Sequence, residues 1–341
     1  METKLFVIGN GFDLGHYYEH EFWEDGTHKS LPTRYKDFRE YLYYNHPDFL
    51  NKMENAYGSS YYSGEDYQNP GYYENPKIVV DDKWWKDFEY NLGDADLFES
   101  DFRDAAKSII DGMKDDDGES MPDIEDTLRE AFKDYYDFME ELKELAAEWI
   151  KTVNLEDVER RTKFITDIDS LYLTFNYTKV LEKVYGIPSE NICHIHGSVD
   201  LYKVVIGHGN NEKIEYHRNR YYELKDLDKN EAEIESAFEE FYDASLKDTS
   251  SIIIDHADVF ASYKGVKEVH LVGLSLGDVD KPYFKEIKRV IRPDADWYCY
   301  YHCPDKNQVP QEVKDKRDKL SFLDLDEDKL HIVDADKFWK L

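Results

Sequence analysis

Gly9-Asn10-Gly11-Phe12-Asp13 follows the apolar run Leu5-Phe6-Val7-Ile8. Leu173-Thr174-Phe175-Asn176-Tyr177-Thr178, His194-Ile195-His196-Gly197-Ser198 and Val272-Gly273-Leu274-Ser275-Leu276-Gly277-Asp278 also end apolar runs, and Asp280 follows the last. Glycine lets a ligand approach the main chain closely. Main-chain N–H groups around Gly9, Asn10 and Gly11, and the Ser275 hydroxyl near a helix start, are of the kind that hold phosphate. A plain strand-to-helix turn stands beside that reading for the first segment. Asn176 has a donor and an acceptor with which to orient a hydroxyl or a water. His196 has the ring that titrates near neutral pH and serves as a general base. His194 shares its strand face, and a break at Gly197 would leave it a hydrogen-bonded core residue while His196 reaches the rim. A metal pair, joined by His208, is an alternative, yet neither histidine spacing is a zinc pattern. Cys299 and Cys303 flank His302 without a second Cys/His pair, so no metal is expected.

These residues need strands to carry them. Residues 4–8, 170–175, 191–195, 203–207, 268–273, 295–301 and 329–333 are short apolar or β-branched runs bounded by turn residues, and read as strands. Helical patterns at 177–185, 230–247 and 280–291 alternate with them, which predicts an α/β layer architecture with a mostly parallel sheet. In such a sheet the carboxyl ends of the strands line one edge, where ligands bind. The four polar segments are therefore expected to converge.

A helical insertion interrupts this pattern between the first and second strands. Residues 34–44 and 83–113 read as helical, 57–80 as a long loop, and Asp115 to Gly118 as an acidic linker. From Asp123 to Ile150, Ile124, Leu128, Phe132, Tyr135, Met139, Leu142, Ala146 and Trp149 advance by threes and fours in one packing stripe. The expected division is 1–33 for the first strand and its turn, 34–160 for the insertion and 161–341 for the rest of the α/β core.

Composition excludes several partners. The 341 residues hold 43 Lys+Arg against 75 Asp+Glu, a net charge of −32, which would repel nucleic acid and acidic membranes alike. A small anionic ligand held by backbone N–H groups survives that argument. Three cysteines and the lack of a leader or an apolar run near the ~20 residues needed to span a bilayer predict a cytoplasmic protein.

The segments, taken together and in order, resemble the AbiH family of bacteriophage abortive infection proteins. The resemblance is carried by Phe6 to Leu14, Leu31-Pro32-Thr33-Arg34-Tyr35-Lys36-Asp37-Phe38, Trp85-Lys86-Asp87-Phe88-Glu89, Thr174 to Thr178, His194 to Gly197, and Gly273-Leu274-Ser275-Leu276 with Asp280 and Tyr283-Phe284. The family usually has His where this chain has Leu274. A more distant resemblance is to sirtuins and sirtuin-like NAD hydrolases, without the sirtuin four-cysteine ribbon. It implies a Rossmann-like fold and NAD as substrate or ligand. Gly9, Asn10, Gly11, Asp13, Gly273 and Ser275 would bind the nucleotide. Asn176 would orient the nicotinamide ribose or a water, and His196 would act as base in hydrolysis of the nicotinamide–ribose bond. Glu89 reads either as a second acid/base group or as a solvated helix carboxylate. The family resemblance implies a phage-derived trigger, and a homo-oligomer is compatible with the sequence. Two other classes stay open: a non-catalytic nucleotide-sensing module, and a metal-dependent nuclease or phosphohydrolase using Asp13, His194, His196, His208 and Asp280.

Overall fold

The computed structural model describes residues 3–57, 60–65, 73–113, 124–131, 133–165 and 170–340. The chain divides into two compact units, residues 1–33, 146–205 and 248–341 in one, and 34–145 with 206–247 in the other. The second unit therefore takes two passes of chain, and residues 206–247 belong to it.

In the first unit, six strands form one parallel sheet: β1 (Lys4–Ile8), β2 (Leu171–Thr174), β3 (Ile192–His194), β4 (Glu268–Val272), β5 (Asp296–Tyr301) and β6 (Leu330–Asp334). Their order across the sheet is β3-β2-β1-β4-β5-β6. The order runs outward in both directions from β1 and β4, so the connections reverse there. Alternation of side chains puts Leu5 and Val7 into one core and Phe6 and Ile8 into the other. Both faces are covered, which is why β1 is apolar from Leu5 to Ile8.

One face is packed with Phe260, Tyr283, Phe284, Ile287 and Leu320, carried by helices Ala257–Ser262, Lys281–Val290 and Val309–Leu320. The other receives Phe12, Val180, Leu181, Val184 and Phe338. On this second face, Tyr172, Phe6, His270, Tyr298 and His331 sit opposite one another on five successive strands. Their rings stack at 5.3, 4.8, 4.9 and 4.7 Å between centroids. Stacked cross-strand rings fix register, and register sets where each strand ends.

Two local expectations change. Residues 203–207 add no strand; the segment instead folds back, and Val205 N donates to His196 O at 2.9 Å. Within 57–80, Ser60–Glu65 pairs antiparallel with Tyr73–Val80, consistent with the aromatic and β-branched residues there. The proposed linker at 115–118, Phe132 and the Tyr135 side chain lie outside what is described. Around them, helices Ile124–Ala131 and Lys133–Lys151 bury Ile124, Leu128, Met139, Leu142, Ala146 and Trp149. Among the described residues, no helix is long and apolar enough to cross a membrane.

The second unit is mainly helical. Helices Asn211–Leu224 and Lys229–Ala244 form a hairpin, packed with Asp96–Gly112 through Phe102 against Phe238.

Candidate functional site

The first turn begins where β1 ends. Gly9 is extended, at φ −117° and ψ 178°, and the short helix Asn10–Leu14 starts at once. Gly9 N donates to Val272 O at 2.9 Å, Gly11 N to Gly273 O at 2.8 Å, and Phe12 N to Gly9 O at 2.9 Å. Both glycine amides thus donate within the protein, and the turns after β1 and β4 lie backbone against backbone. A Cβ on Gly11 would stand 2.7 Å from Gly273 Cα, and one on Gly273 would stand 2.2 Å from Phe12 N. Gly273 also has φ +67°, a conformation that side chains resist. These glycines bring two turns together at the point where the sheet connections reverse. The Asn10 side chain turns away to donate to Thr33 O at 2.7 Å.

Asp13, one turn along, is 1% exposed. Its Oδ1 accepts from Asn176 Nδ2 at 2.7 Å and its Oδ2 from Thr178 Oγ1 at 2.5 Å. Burial pushes the carboxyl up to about 6, although Thr178, Asn176 and the nearby His194 all favour its charged form. No lysine or arginine pairs with it among the described residues.

Asn176 follows β2 and is held on every side but one. Nδ2 also donates to Gly9 O at 3.2 Å, and the main-chain N–H donates to Thr174 Oγ1 at 3.1 Å. Its main-chain carbonyl receives His194 Nδ1 at 2.9 Å, while His194 Nε2 lies 3.0 Å from Glu182 Oε1. His194 is therefore a hydrogen-bonded, half-buried residue, and it fixes the Asn176 backbone.

His196 differs from expectation. It is 3% exposed, well inside the rim. Gly197, at φ +85°, turns the chain back so that Val205 N donates to the His196 carbonyl, and the Phe175 and Tyr283 rings lie 4.9 and 5.6 Å from the imidazole. Its Nε2 is 3.9 Å from Asp280 Oδ1, at the start of helix Lys281–Val290. The ends of β3 and β4 therefore meet through this pair, as β1 and β2 meet through Asp13 and Asn176.

Ser275 is exposed, and its carbonyl accepts from Lys319 Nζ at 2.8 Å. Lys316 Nζ reaches Leu274 O at 3.0 Å. Two lysines thus hold the loop after β4, in which Leu276 is left-handed at φ 59°.

The other named candidates lie in the second unit. His208 bonds Tyr242 O and Ser245 Oγ, each at 3.0 Å, and burial lowers it to about 4. Glu89 accepts from Tyr35 Oη at 2.7 Å and from the buried Lys247 Nζ at 3.0 Å, so it is paired rather than solvated. Among the described residues, no group of three His, Cys, Asp or Glu side chains is arranged to hold a metal ion.

The convergence of the four segments was legible. The holding roles of Thr178, His194 and Glu182 were not, although Thr178 lies two residues beyond Asn176, close enough to share its partner.

A family model described as bacteriophage abortive infection AbiH matches residues 5–301. Neither a curated protein nor a solved structure matches the chain.

Proposed function

The chain belongs to the AbiH family of bacteriophage abortive infection proteins, and on that premise we propose that it defends by binding NAD or a related nucleotide at the carboxyl edge of the sheet and hydrolysing the nicotinamide–ribose bond. The observation that carries this reading is the pairing of Asp13 with Asn176 and of His196 with Asp280 at the ends of β1 to β4. The strand order supports it, because 3-2-1-4-5-6 is the order of the doubly wound dinucleotide-binding sheet, with its ligand at the reversal point.

In this reading Asn176 orients a ribose hydroxyl or the attacking water. His196 takes the proton that water or hydroxyl releases, and Asp280 stabilises the imidazolium that results. Water adds to the sugar carbon as the bond to nicotinamide breaks, giving nicotinamide and ADP-ribose. Gly9, Gly11 and Gly273 shape the edge, while Ser275 and the nearby Lys316 and Lys319 supply polar and positive groups for the phosphates. Those lysines matter in a chain of net charge −32. The enclosure of His196 favours a second reading, a module that binds the nucleotide without turnover.

Incubation of purified protein with NAD, followed by chromatography for free nicotinamide, separates these readings. Turnover in the wild type that falls at least a hundredfold in His196→Ala supports hydrolysis. Calorimetric binding of NAD or ADP-ribose without product supports the sensing module. Absence of both binding and product overturns the nucleotide reading.

A further inference from the structure

Asn176 is set so that its side chain can only accept a hydrogen bond from a ligand. Its two Nδ2 hydrogens go to Gly9 O and Asp13 Oδ1. A main-chain carbonyl never donates, so turning the amide over would set oxygen against oxygen at Gly9. The main chain of Asn176 is pinned as well, by Thr174 Oγ1 at its N–H and by His194 Nδ1 at its carbonyl. Among the described residues no donor reaches Asn176 Oδ1. Asp13 cannot itself meet a ligand, because it is 1% exposed and both of its oxygens are occupied from within.

We propose that Asp13 is the positioning residue of this edge: its buried carboxyl holds the Asn176 amide with Oδ1 toward the ligand, so the group recognised there is an O–H donor, a sugar hydroxyl or a water. A phosphate or carbonyl oxygen would meet Oδ1 as a second acceptor and be repelled. The inference rests on the nucleotide reading above and adds to it the polarity of one contact. It also separates Asp13 from the groups that touch substrate. Removing the hydroxyl that meets Oδ1 leaves a buried acceptor unpaired, which corresponds to about tenfold in affinity.

The test compares binding of NAD and of two NAD analogues, in which the 2′- or the 3′-hydroxyl of the nicotinamide ribose is replaced by hydrogen. Proteins are the wild type, Asn176→Ala, Asp13→Leu and the conservative Asp13→Asn, which keeps one acceptor for Asn176 Nδ2. For a sugar hydroxyl, the wild type prefers NAD over one analogue by about tenfold. Asn176→Ala and Asp13→Leu lose that preference, and Asp13→Asn retains it. For a water, the wild type binds all three alike, while Asn176→Ala and Asp13→Leu lower the rate of nicotinamide release at unchanged KM and Asp13→Asn restores it. Discrimination or rate that survives in Asn176→Ala overturns the proposal, even if Asp13→Leu fails to fold.

The positioning is read without ligand from the Asn176 side-chain amide signals in nitrogen-labelled protein. They move in Asp13→Leu and stay close to wild type in Asp13→Asn if Asp13 orients the amide. Signals that are unchanged in Asp13→Leu overturn the positioning role. A wild type that binds neither NAD nor ADP-ribose but shows the amide shift removes the nucleotide reading and keeps the positioning role.

Discussion

Two buried carboxylate clusters, one in each unit, are built on opposite terms. In the helical unit, His217 is fully buried, with Nδ1 2.7 Å from Glu235 Oε2 and Nε2 3.6 Å from Glu99 Oε1. Arg103 bonds Glu235 and Glu231, and Lys213 and the Tyr242 hydroxyl bond Glu99. Glu99, Glu231 and Glu235 thus face Arg103, Lys213 and His217, with Lys107 beside Glu231. Glu99 is held down at about 2 against its burial by His217, Lys213 and Tyr242, and Glu235 is also lowered against burial by His217 and Arg103. His217 is raised against burial by both glutamates. At the sheet edge, Asp13 has only neutral donors, and burial wins.

The difference teaches what each cluster is for. The helical cluster is compensated and holds three helices together. The Asp13 carboxyl is under-compensated. Its rise from 3.8 to about 6 amounts to about 3 kcal/mol against folding at pH 7. A group that opposes folding yet orients Asn176 has the mark of a site kept for function.

The largest expected effect strikes the compensated cluster. Glu235→Ala takes the Nδ1 partner from His217 and one of two carboxylates from Arg103, and should cost about 3–5 kcal/mol, read as a large fall in Tm. Next comes Gly273→Ala, where a left-handed backbone and a contact at 2.2 Å combine. It should cost about 2 kcal/mol or more by denaturant unfolding. A loss near zero would mean that the β1 and β4 turns are not packed as described.

Asp13→Asn should act in the opposite direction, gaining about 1 kcal/mol at pH 7.5 once the charge penalty is set against weakened hydrogen bonds. The sign follows from linkage. Asp13 binds its proton more tightly folded than unfolded, so stability falls as pH rises from about 4 to 6, and the gain in the variant vanishes by pH 4. Glu99 and Glu235 run the other way. Their folded values are depressed, so their contribution is present above about pH 4.5 and is lost as pH falls toward 2. Unfolding followed across pH 3–8 in the wild type, Asp13→Asn and Glu235→Gln should separate the two slopes; identical slopes would erase the contrast. The smallest effect is expected for Lys319→Ala, within about 0.5 kcal/mol because the contact is exposed, with weakened nucleotide binding as its only marked change.

Much of the edge was legible in the sequence because it is written in short local runs. Leu5 to Ile8 and Glu268 to Val272 announce buried parallel strands, and the polar residues after them must gather where those strands end. The burial of His196 is not legible because it depends on Phe175 and Tyr283, which a strand pattern does not connect to it. The His217 cluster was invisible for a similar reason. Glu99, Lys213 and Glu235 each look like solvated helix charges until Asp96–Gly112 is packed against the 211–244 hairpin. The resemblance to sirtuin-like sites implies a ligand contact for Asp13, whereas burial turns it inward and gives its oxygens to Asn176 and Thr178.

The most direct measurement is a crystal structure of the protein soaked with ADP-ribose or NAD. The account predicts a ribose at the carboxyl edge of the sheet, with an O–H group within hydrogen-bond distance of Asn176 Oδ1 and Asp13 still bonded to Nδ2. A nucleotide bound elsewhere, or one whose acceptor oxygen meets a turned-over Asn176 amide, would contradict it.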